Sequence, residues 1–151
     1  MLNNIYLIVG VPASGKSWVC NQLREQCEYI AHDDHIAIPS AYLRKVLFQL
    51  SKCPTKAVLI EAPFSMGIMD DLLAKGYFVQ PVFVIEKESV LRERYRLRGR
   101  NEEHIIRGHL TRQETYRLRA INHKAFAGDS SAVLTYLREQ LGRPEIARKN
   151  D

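Results

Sequence analysis

The sequence predicts an α/β fold, a three-layer α/β/α sandwich with a central parallel sheet of four or five strands. Short apolar runs alternate with helical patterns as far as Ile85, which is typical of strands joined by crossover helices. The first run, Asn4–Val9, is almost wholly apolar and is bounded by Gly10, which suits a buried parallel strand. Helical patterns alone follow from about Glu88, and we expect part of them to form a helical, arginine-rich lid.

The spacing of apolar residues assigns each element in order. Strands are predicted at 4–9, 29–31, 57–61 and 77–85, and helices at 16–26, 40–51, 66–75, 89–97, 102–124 and 130–141. Ser40 is the expected N-cap of the second helix, and Gly76 is the expected end of the third. The second strand is expected beside the first, and residues 126–129 are assigned only a turn.

Length and composition predict a single domain, because the chain has 151 residues, of which 46% are apolar and 26% charged. We assign 1–142 to this domain, with the lid at about 88–120, and 143–151 to a C-terminal tail. No apolar run reaches the roughly 18 to 20 residues of a membrane span, and no signal-peptide pattern opens the chain, so a cytoplasmic location is expected. The three cysteines have no CxxC spacing, which indicates neither a disulfide framework nor a zinc site.

Positive charge is concentrated in the predicted lid. Between Leu91 and Ala120 there are nine arginines and four glutamates, an excess that equals the net charge of +5 of the whole chain. A local basic block indicates a polyanionic partner, and both a nucleoside triphosphate and a nucleic acid backbone qualify.

A phosphate-binding loop follows the first strand. The sequence Gly10-Val11-Pro12-Ala13-Ser14-Gly15-Lys16-Ser17 matches GxxxxGK[ST], between an apolar strand and a helix that continues with Trp18. Glycines let successive backbone N–H groups point inward toward phosphate oxygens. Lys16 is then expected to bridge the β- and γ-phosphates, and the Ser17 hydroxyl to bind Mg²⁺. The motif therefore predicts a P-loop NTPase sandwich that binds ATP, or another nucleoside triphosphate, with Mg²⁺.

The rest of the sequence narrows the class of P-loop protein. No Asn-Lys-x-Asp sequence is present to read guanine, which argues against a GTPase switch. A motor or AAA-type ATPase generally needs a longer chain and an Asp-Glu pair at a strand end. A small kinase is therefore the favoured class.

An acidic pair, Asp33 and Asp34, follows the second predicted strand. Side chains at the carboxyl ends of parallel strands face the ligand crevice of such sheets. A carboxylate at this position can accept the proton of an attacking hydroxyl, whereas its alternative role is to cap the next helix.

Two segments resemble a known kinase family. The run from Val9 to Trp18, followed by His32-Asp-Asp-His35, resembles the kinase domain of bacteriophage polynucleotide 5′-hydroxyl kinase and its P-loop kinase relatives. The segment from Val90 to Gly99 is similar to the lid helix of that family, which carries Arg-x-x-x-Arg-Gly. The resemblance covers most of the chain; its P-loop is generic, and the acidic pair and lid spacing are more specific.

The resemblance implies a role for each matching residue. Asp33 corresponds to the general base of the family, Arg98 to the lid arginine that stabilises the transferring phosphoryl group, and Arg94 to a second lid arginine. Arg94 and Arg98 also lie i, i+4 on one helical face, where they can supply cationic donors to the γ-phosphoryl oxygens. With Lys16 they form the expected catalytic set.

The chain departs from the family at two places. Ile36 replaces the arginine that grips the substrate phosphate in polynucleotide kinase, and Arg44 is the alternative candidate for that contact. Glu61 stands at the end of the third strand without the Ser-Asp of the family. We expect Glu61 and Asp34 to bind substrate, although Glu61 can instead hold the water shell of Mg²⁺.

Two classes of acceptor stay open. The arginine-dense lid and the resemblance favour nucleic acid, DNA more than RNA, phosphorylated at a 5′-hydroxyl or on a hydroxymethylated pyrimidine. The missing arginine after Asp34 favours a small molecule such as a nucleoside, nucleotide or sugar. A nucleotide-binding module without activity is a third, disfavoured class.

Overall fold

The structure, a computed structural model, describes residues 4–31, 39–52, 57–61 and 67–142. Within these ranges five parallel strands form one sheet. The strands are β1 Asn4–Val9, β2 Glu28–Ile30, β3 Val58–Glu61, β4 Phe78–Val84 and β5 Phe126–Gly128. The helices are α1 Lys16–Gln22, α2 Pro39–Ser51, α3 Ile68–Ala74, α4 Glu88–Leu97, α5 Glu103–Asn122 and α6 Ser130–Gly142.

The order of the strands is β2-β3-β1-β4-β5 and corrects one prediction. β3 lies between β1 and β2, so the second strand does not neighbour the first. A crossover helix joins two strands of a sheet without requiring them to be adjacent, so the sequence of β2 alone could not show that β3 would be inserted.

A fifth strand forms where the sequence indicated only a turn. Phe126 and Gly128 pair with Val82 and Val84 of β4, and the Ile85 N–H donates to the Gly128 carbonyl at 2.7 Å. Three residues that include a glycine are too short for a periodic signal, and backbone pairing with β4 defines this strand.

Helices cover both faces of the sheet, as the three-layer prediction requires. Alternate β1 side chains separate the two cores: Ile5, Leu7 and Val9 pack on one face, and Tyr6 and Ile8 on the other. Residues of α2, α3, α4 and α5 fill the first core, and residues of α1 and α6 fill the second. Burial on both faces explains why β1 is a continuous apolar run.

The end of α4 has the geometry of a Schellman motif. The Gly99 N–H donates to the Arg96 carbonyl at 3.0 Å, and the Arg100 N–H to the Tyr95 carbonyl at 2.8 Å. Gly99 has φ 72°, which glycine adopts without steric cost. The glycine of the Arg-x-x-x-Arg-Gly segment therefore ends the helix. The predicted end of α3 at Gly76 is confirmed by the same bond pattern.

The same motif at the end of α5 uses a lysine. Lys124 has φ 52°, and the Ala125 N–H donates to the Ala120 carbonyl at 2.9 Å. A side chain in this left-handed region costs roughly 1 kcal/mol or more. Lys124→Gly is therefore expected to raise the free energy of unfolding by about 0.5–1 kcal/mol, after the larger chain entropy of glycine is subtracted.

Chemical denaturation of Lys124→Gly measures this gain, and Lys75→Gly is the matched control. Lys75 also stands at a helix end but has φ −88°, so its replacement by glycine is expected to lower stability. Equal changes in both variants would contradict a strained backbone at Lys124.

Three sequence expectations concern smaller features. α2 begins at Pro39, so Ser40 lies in the first turn of the helix instead of capping it. Cys20 and Cys27 are buried free thiols, and Cys53 lies outside the described residues. Among the helices that are described, none is both long and apolar enough to cross a bilayer.

Candidate functional site

The candidate site lies where β1, β3 and β4 end at the same edge of the sheet. Register pairs Ile8 of β1 with Glu61 of β3, so Glu61 stands beside the start of the glycine-rich loop at 10–17. β4 ends at Val84 on the other side of β1, and Glu86 follows it two residues later. Two carboxylates therefore flank the loop at the carboxyl ends of parallel strands, where ligands bind in open α/β sheets.

The shape of the loop depends on two glycines. A Cβ on Gly10 would lie 2.4 Å from the Ser14 Oγ, and a Cβ on Gly15 would lie 2.8 Å from the Ser130 Cβ. Gly15 also has φ 104°, as the N-cap of α1. Ala13 has φ 66°, which is strained for a residue with a side chain. The loop is therefore held in a tight curl, in which a side chain on Gly15 would clash and one on Gly10 would displace the Ser14 hydroxyl.

The residues present fit a bound phosphate chain. The Ser14 Oγ is buried and has no hydrogen-bond partner among the residues that the structure describes. A buried hydroxyl without a partner is unfavourable, and a ligand oxygen could supply one. The Lys16 ammonium lies at the first residue of the loop, where it donates to the Gly10 carbonyl at 2.6 Å. The Lys16 cation, the curled backbone and the unsatisfied Ser14 hydroxyl therefore all lie within eight consecutive residues.

A carboxylate is fixed beside the Ser17 hydroxyl. The Ser17 Oγ donates to the Glu61 carboxylate, at 3.2 Å from Oε2 and 3.3 Å from Oε1. The Tyr29 hydroxyl also donates to Glu61 Oε2, and the Tyr42 hydroxyl donates to the Glu61 carbonyl at 2.6 Å. Burial raises the pKa of Tyr29, and its bond to Glu61 raises it further, so Tyr29 stays a donor. A hydroxyl and a carboxylate with fixed oxygens suit Mg²⁺.

A second carboxylate, Glu86, is buried on the opposite side of the loop, with only 7% of its surface exposed. Its Oε1 accepts hydrogen bonds from the Ser130 N–H and the Ser130 Oγ, both at 3.1 Å. The Gln113 side chain bonds both backbone groups of Glu86, at 3.1 Å to the N–H and 2.7 Å to the carbonyl. Glu86, just after the end of β4, is therefore bound to the start of α6 through its side chain and to α5 through its backbone.

Two neighbouring residues of α4 attach the lid to the loop. Arg94 Nη1 donates to the Ala13 carbonyl at 2.8 Å, and Arg94 Nη2 lies 3.7 Å from Glu86 Oε1. The buried Tyr95 donates from its hydroxyl to the Pro12 carbonyl at 2.8 Å. Arg94 is thus bound to the strained residue of the loop and to Glu86.

The other predicted site residues lie in the loop, on the helices around it or outside the described ranges. Val11 is buried, and Trp18 is 47% exposed on α1 beside the loop. Arg98 is exposed at the C-cap of α4. Arg44 is exposed on α2, and among the described residues no hydrogen bond or ion pair joins it to the loop. Asp33 and Asp34 lie outside the described residues, together with Ile36.

Glu86, Gln113 and Ser130 were not predicted from the sequence, and neither was the bond of Tyr95 to the loop. Glu86 could have been predicted as a site residue, because it stands at the end of an apolar strand as Glu61 does. The others could not have been predicted: a tyrosine and a glutamine on amphipathic helices are usually packing residues, and their contacts depend on how the helices cross the sheet.

Comparison with solved structures finds this fold in proteins of low sequence identity. A gluconokinase from Sinorhizobium meliloti 1021 has TM-score 0.58 over 93% of this chain and 96% of its own, at 19% identity. A shikimate kinase from Acinetobacter baumannii in complex with shikimate has TM-score 0.57 over 93% of each chain, at 17% identity. A de novo designed protein of P-loop NTPase fold has TM-score 0.56 over 99% of this chain and 100% of its own, at 16% identity.

These similarities establish the fold and leave the finer assignments as predictions. No protein-family model matches the sequence, and comparison with curated proteins gives no match. The resemblance to polynucleotide kinases therefore stays a prediction from the motifs. With five parallel strands among its described residues, helices on both faces of the sheet and a GxxxxGK[ST] loop after β1, the chain has the P-loop NTPase fold.

Proposed function

We propose that the chain is a Mg²⁺-dependent kinase that transfers the γ-phosphoryl group of ATP to a hydroxyl of a small molecule. The observation that carries this proposal is the contact of Ser17 with Glu61. This contact places oxygen ligands for a divalent cation beside a loop whose shape suits phosphate. Glu61 was predicted from the sequence to bind substrate, and this contact supports its alternative role at the metal.

Each residue would have a defined task in the transfer. The loop amides and Lys16 would hold the β- and γ-phosphates, and Arg98 would balance charge on the transferring group. Bound Mg²⁺ would neutralise phosphate charge beside Ser17 and Glu61. The acceptor oxygen forms a bond to the γ-phosphorus as the bond to ADP breaks, and Asp33 accepts the hydroxyl proton.

Two findings favour a small acceptor over nucleic acid. Four lid arginines are bound to glutamates of the lid itself, which reduces the charge left for a nucleic acid backbone. Gluconokinase and shikimate kinase, both named for small acceptors, share the fold. Phosphorylation of DNA or RNA, which the motif resemblance implies, is the second candidate and rests on the arginines that have no such partner.

A transfer assay with γ-labelled ATP separates these candidates. The acceptors are gluconate, shikimate, sugars, nucleosides, nucleotides, single and duplex DNA, RNA and hydroxymethylated DNA. We expect Mg²⁺-dependent label on a small molecule. Label on polynucleotides only would replace the small acceptor by nucleic acid, and ATP binding without transfer to any acceptor would contradict a kinase.

Glu61→Gln tests the metal site. It keeps the size of the side chain and removes the charge, so the Mg²⁺ concentration for half-maximal transfer is expected to rise by about 10-fold or more. Titration of Mg²⁺ at saturating ATP measures this change. Glu25→Gln, an exposed carboxylate beyond α1, is the control. An unchanged Mg²⁺ requirement in Glu61→Gln would remove Glu61 from the metal site.

A further inference from the structure

Most lid glutamates already bind arginines of the lid. Glu103 binds Arg92 at 2.8 Å and Arg107 at 3.1 Å, and these bonds lower the pKa of Glu103 to about 2. Glu93 binds Arg96 at 2.6 Å, and Glu114 binds Arg117. These pairs lie on the exposed surface and leave little negative charge in the lid for its other arginines.

Three lid arginines differ from the rest. Within residues 4–31, 39–52, 57–61 and 67–142, no ion pair or side-chain hydrogen bond involves Arg98, Arg100 or Arg112. Arg98 and Arg100 flank the glycine that ends α4, and Arg112 lies one turn beyond His109 on α5. The centroids of the Tyr95 and His109 rings lie 5.3 Å apart, so the parts of α4 and α5 next to the three arginines lie against each other.

This cluster of Arg98, Arg100 and Arg112 acts on a side chain that touches the phosphate loop. The Tyr95 hydroxyl donates to the Pro12 carbonyl at 2.8 Å. Burial raises the pKa of Tyr95, and the three guanidinium groups oppose that rise. Their positive charge therefore acts on the side chain that binds the Pro12 carbonyl of the loop.

The half-buried His109 gives a second sign that the cluster lacks an anion. Burial lowers the pKa of His109, and Arg112 and Arg100 lower it further, so it stays neutral near pH 7. Its Nδ1 is buried without a hydrogen-bond partner among the described residues. Two cations beside a neutral imidazole, with no described carboxylate bound to either of them, favour an anionic ligand.

We propose that Arg100 and Arg112 form a subsite for an anionic group, a phosphate or a carboxylate, on the acceptor. The inference rests on the proposed kinase function, in which Lys16 and Arg98 already serve the transferring phosphoryl group. Two arginines that both act on Tyr95 and His109 match one anionic group, whereas a polynucleotide would need a row of cations along its backbone. The acceptor is therefore a small molecule with a hydroxyl and one anionic group.

Paired acceptors test this subsite. Each pair differs by one anionic group: glucose and gluconate, glycerol and glycerate, and a nucleoside and its 3′-monophosphate. We expect transfer to favour the anionic member of at least one pair by about 10-fold or more in kcat/KM. Equal use of both members of every accepted pair would overturn the subsite, as would preference for oligonucleotides over all small acceptors.

Arginine variants assign that preference to residues. Arg100→Gln and Arg112→Gln are expected to raise the KM for the anionic acceptor by about 10-fold and to leave the KM for ATP unchanged. Arg107→Gln and Arg117→Gln are matched controls, because they remove the same charge from α5 at arginines bound to glutamates. A change in the KM for ATP alone would overturn the proposal and assign the arginines to the nucleotide.

A measurement without transfer keeps the subsite testable if kinase activity fails. Phenylglyoxal modification is followed by mass spectrometry with a non-hydrolysable ATP analogue and Mg²⁺ at saturation. Added inorganic phosphate is expected to slow modification of Arg100 and Arg112 and to leave that of Arg107 and Arg117 unchanged. Equal protection of all four, or of none, would overturn the anion subsite whatever the outcome of the transfer assay.

Discussion

Lys16→Met is expected to lower kcat for phosphoryl transfer by roughly 10²–10³-fold, the effect of removing one preorganised donor from developing charge. The ammonium lies at the loop beside Gly10, and methionine keeps the length of the side chain without its charge. Transfer of label from γ-labelled ATP measures the rate. Fluorescence of Trp18, the one tryptophan of the chain and 47% exposed beside the loop, measures nucleotide affinity separately.

Lys75→Met is the control for Lys16→Met, because it removes one positive charge from an exposed helix end at α3. We expect it to leave both rate and affinity unchanged. The melting temperature of Lys16→Met should fall by only a few degrees, since the variant loses one part-buried hydrogen bond to the Gly10 carbonyl. A Lys16→Met protein with wild-type kcat would contradict phosphoryl transfer at this loop.

Local patterns predicted the elements well, and the pairing of strands less well. The bounds of β1 and the ends of α3 and α4 follow from a continuous apolar run and from Gly76 and Gly99, which are local features. The insertion of β3 between β1 and β2 and the formation of β5 depend on partners distant in sequence. Backbone hydrogen bonds to β4 stabilise β5, and such bonds cannot be predicted from the pattern of side chains.

The candidate site shows the same division. Lys16 and Ser17 are fixed by a motif of eight consecutive residues, so the sequence alone located them. The contact between Ser17 and Glu61 spans 44 positions, and it arises because β1 and β3 are adjacent. The bond from Arg94 to the Ala13 carbonyl likewise requires α4 to lie against the loop, and helical spacing could not show it.

Glu86→Ala is expected to lower the free energy of unfolding by about 2 kcal/mol and to weaken ATP binding. It leaves the Ser130 N–H and Oγ without their buried acceptor, and an unsatisfied buried polar group costs about 1–3 kcal/mol. The ion pair with Arg94 adds little, because at 3.7 Å that arginine is 35% exposed. For a chain of this length, we expect the melting temperature to fall by roughly 4–8 °C.

Two further variants separate the stability effect of Glu86 from its effect on the loop. Glu86→Gln keeps an oxygen acceptor for Ser130 and removes the charge that faces Arg94, so it should recover most of the stability. Its KM for ATP should stay raised, because Arg94 is then less firmly held where it binds the strained Ala13. Glu114→Ala removes a carboxylate from an exposed pair and should change the unfolding free energy by at most about 0.5 kcal/mol. A wild-type KM for ATP in Glu86→Gln would show that the charge of Glu86 does not position the loop. The buried carboxylate would then serve only to hold the start of α6 at Ser130.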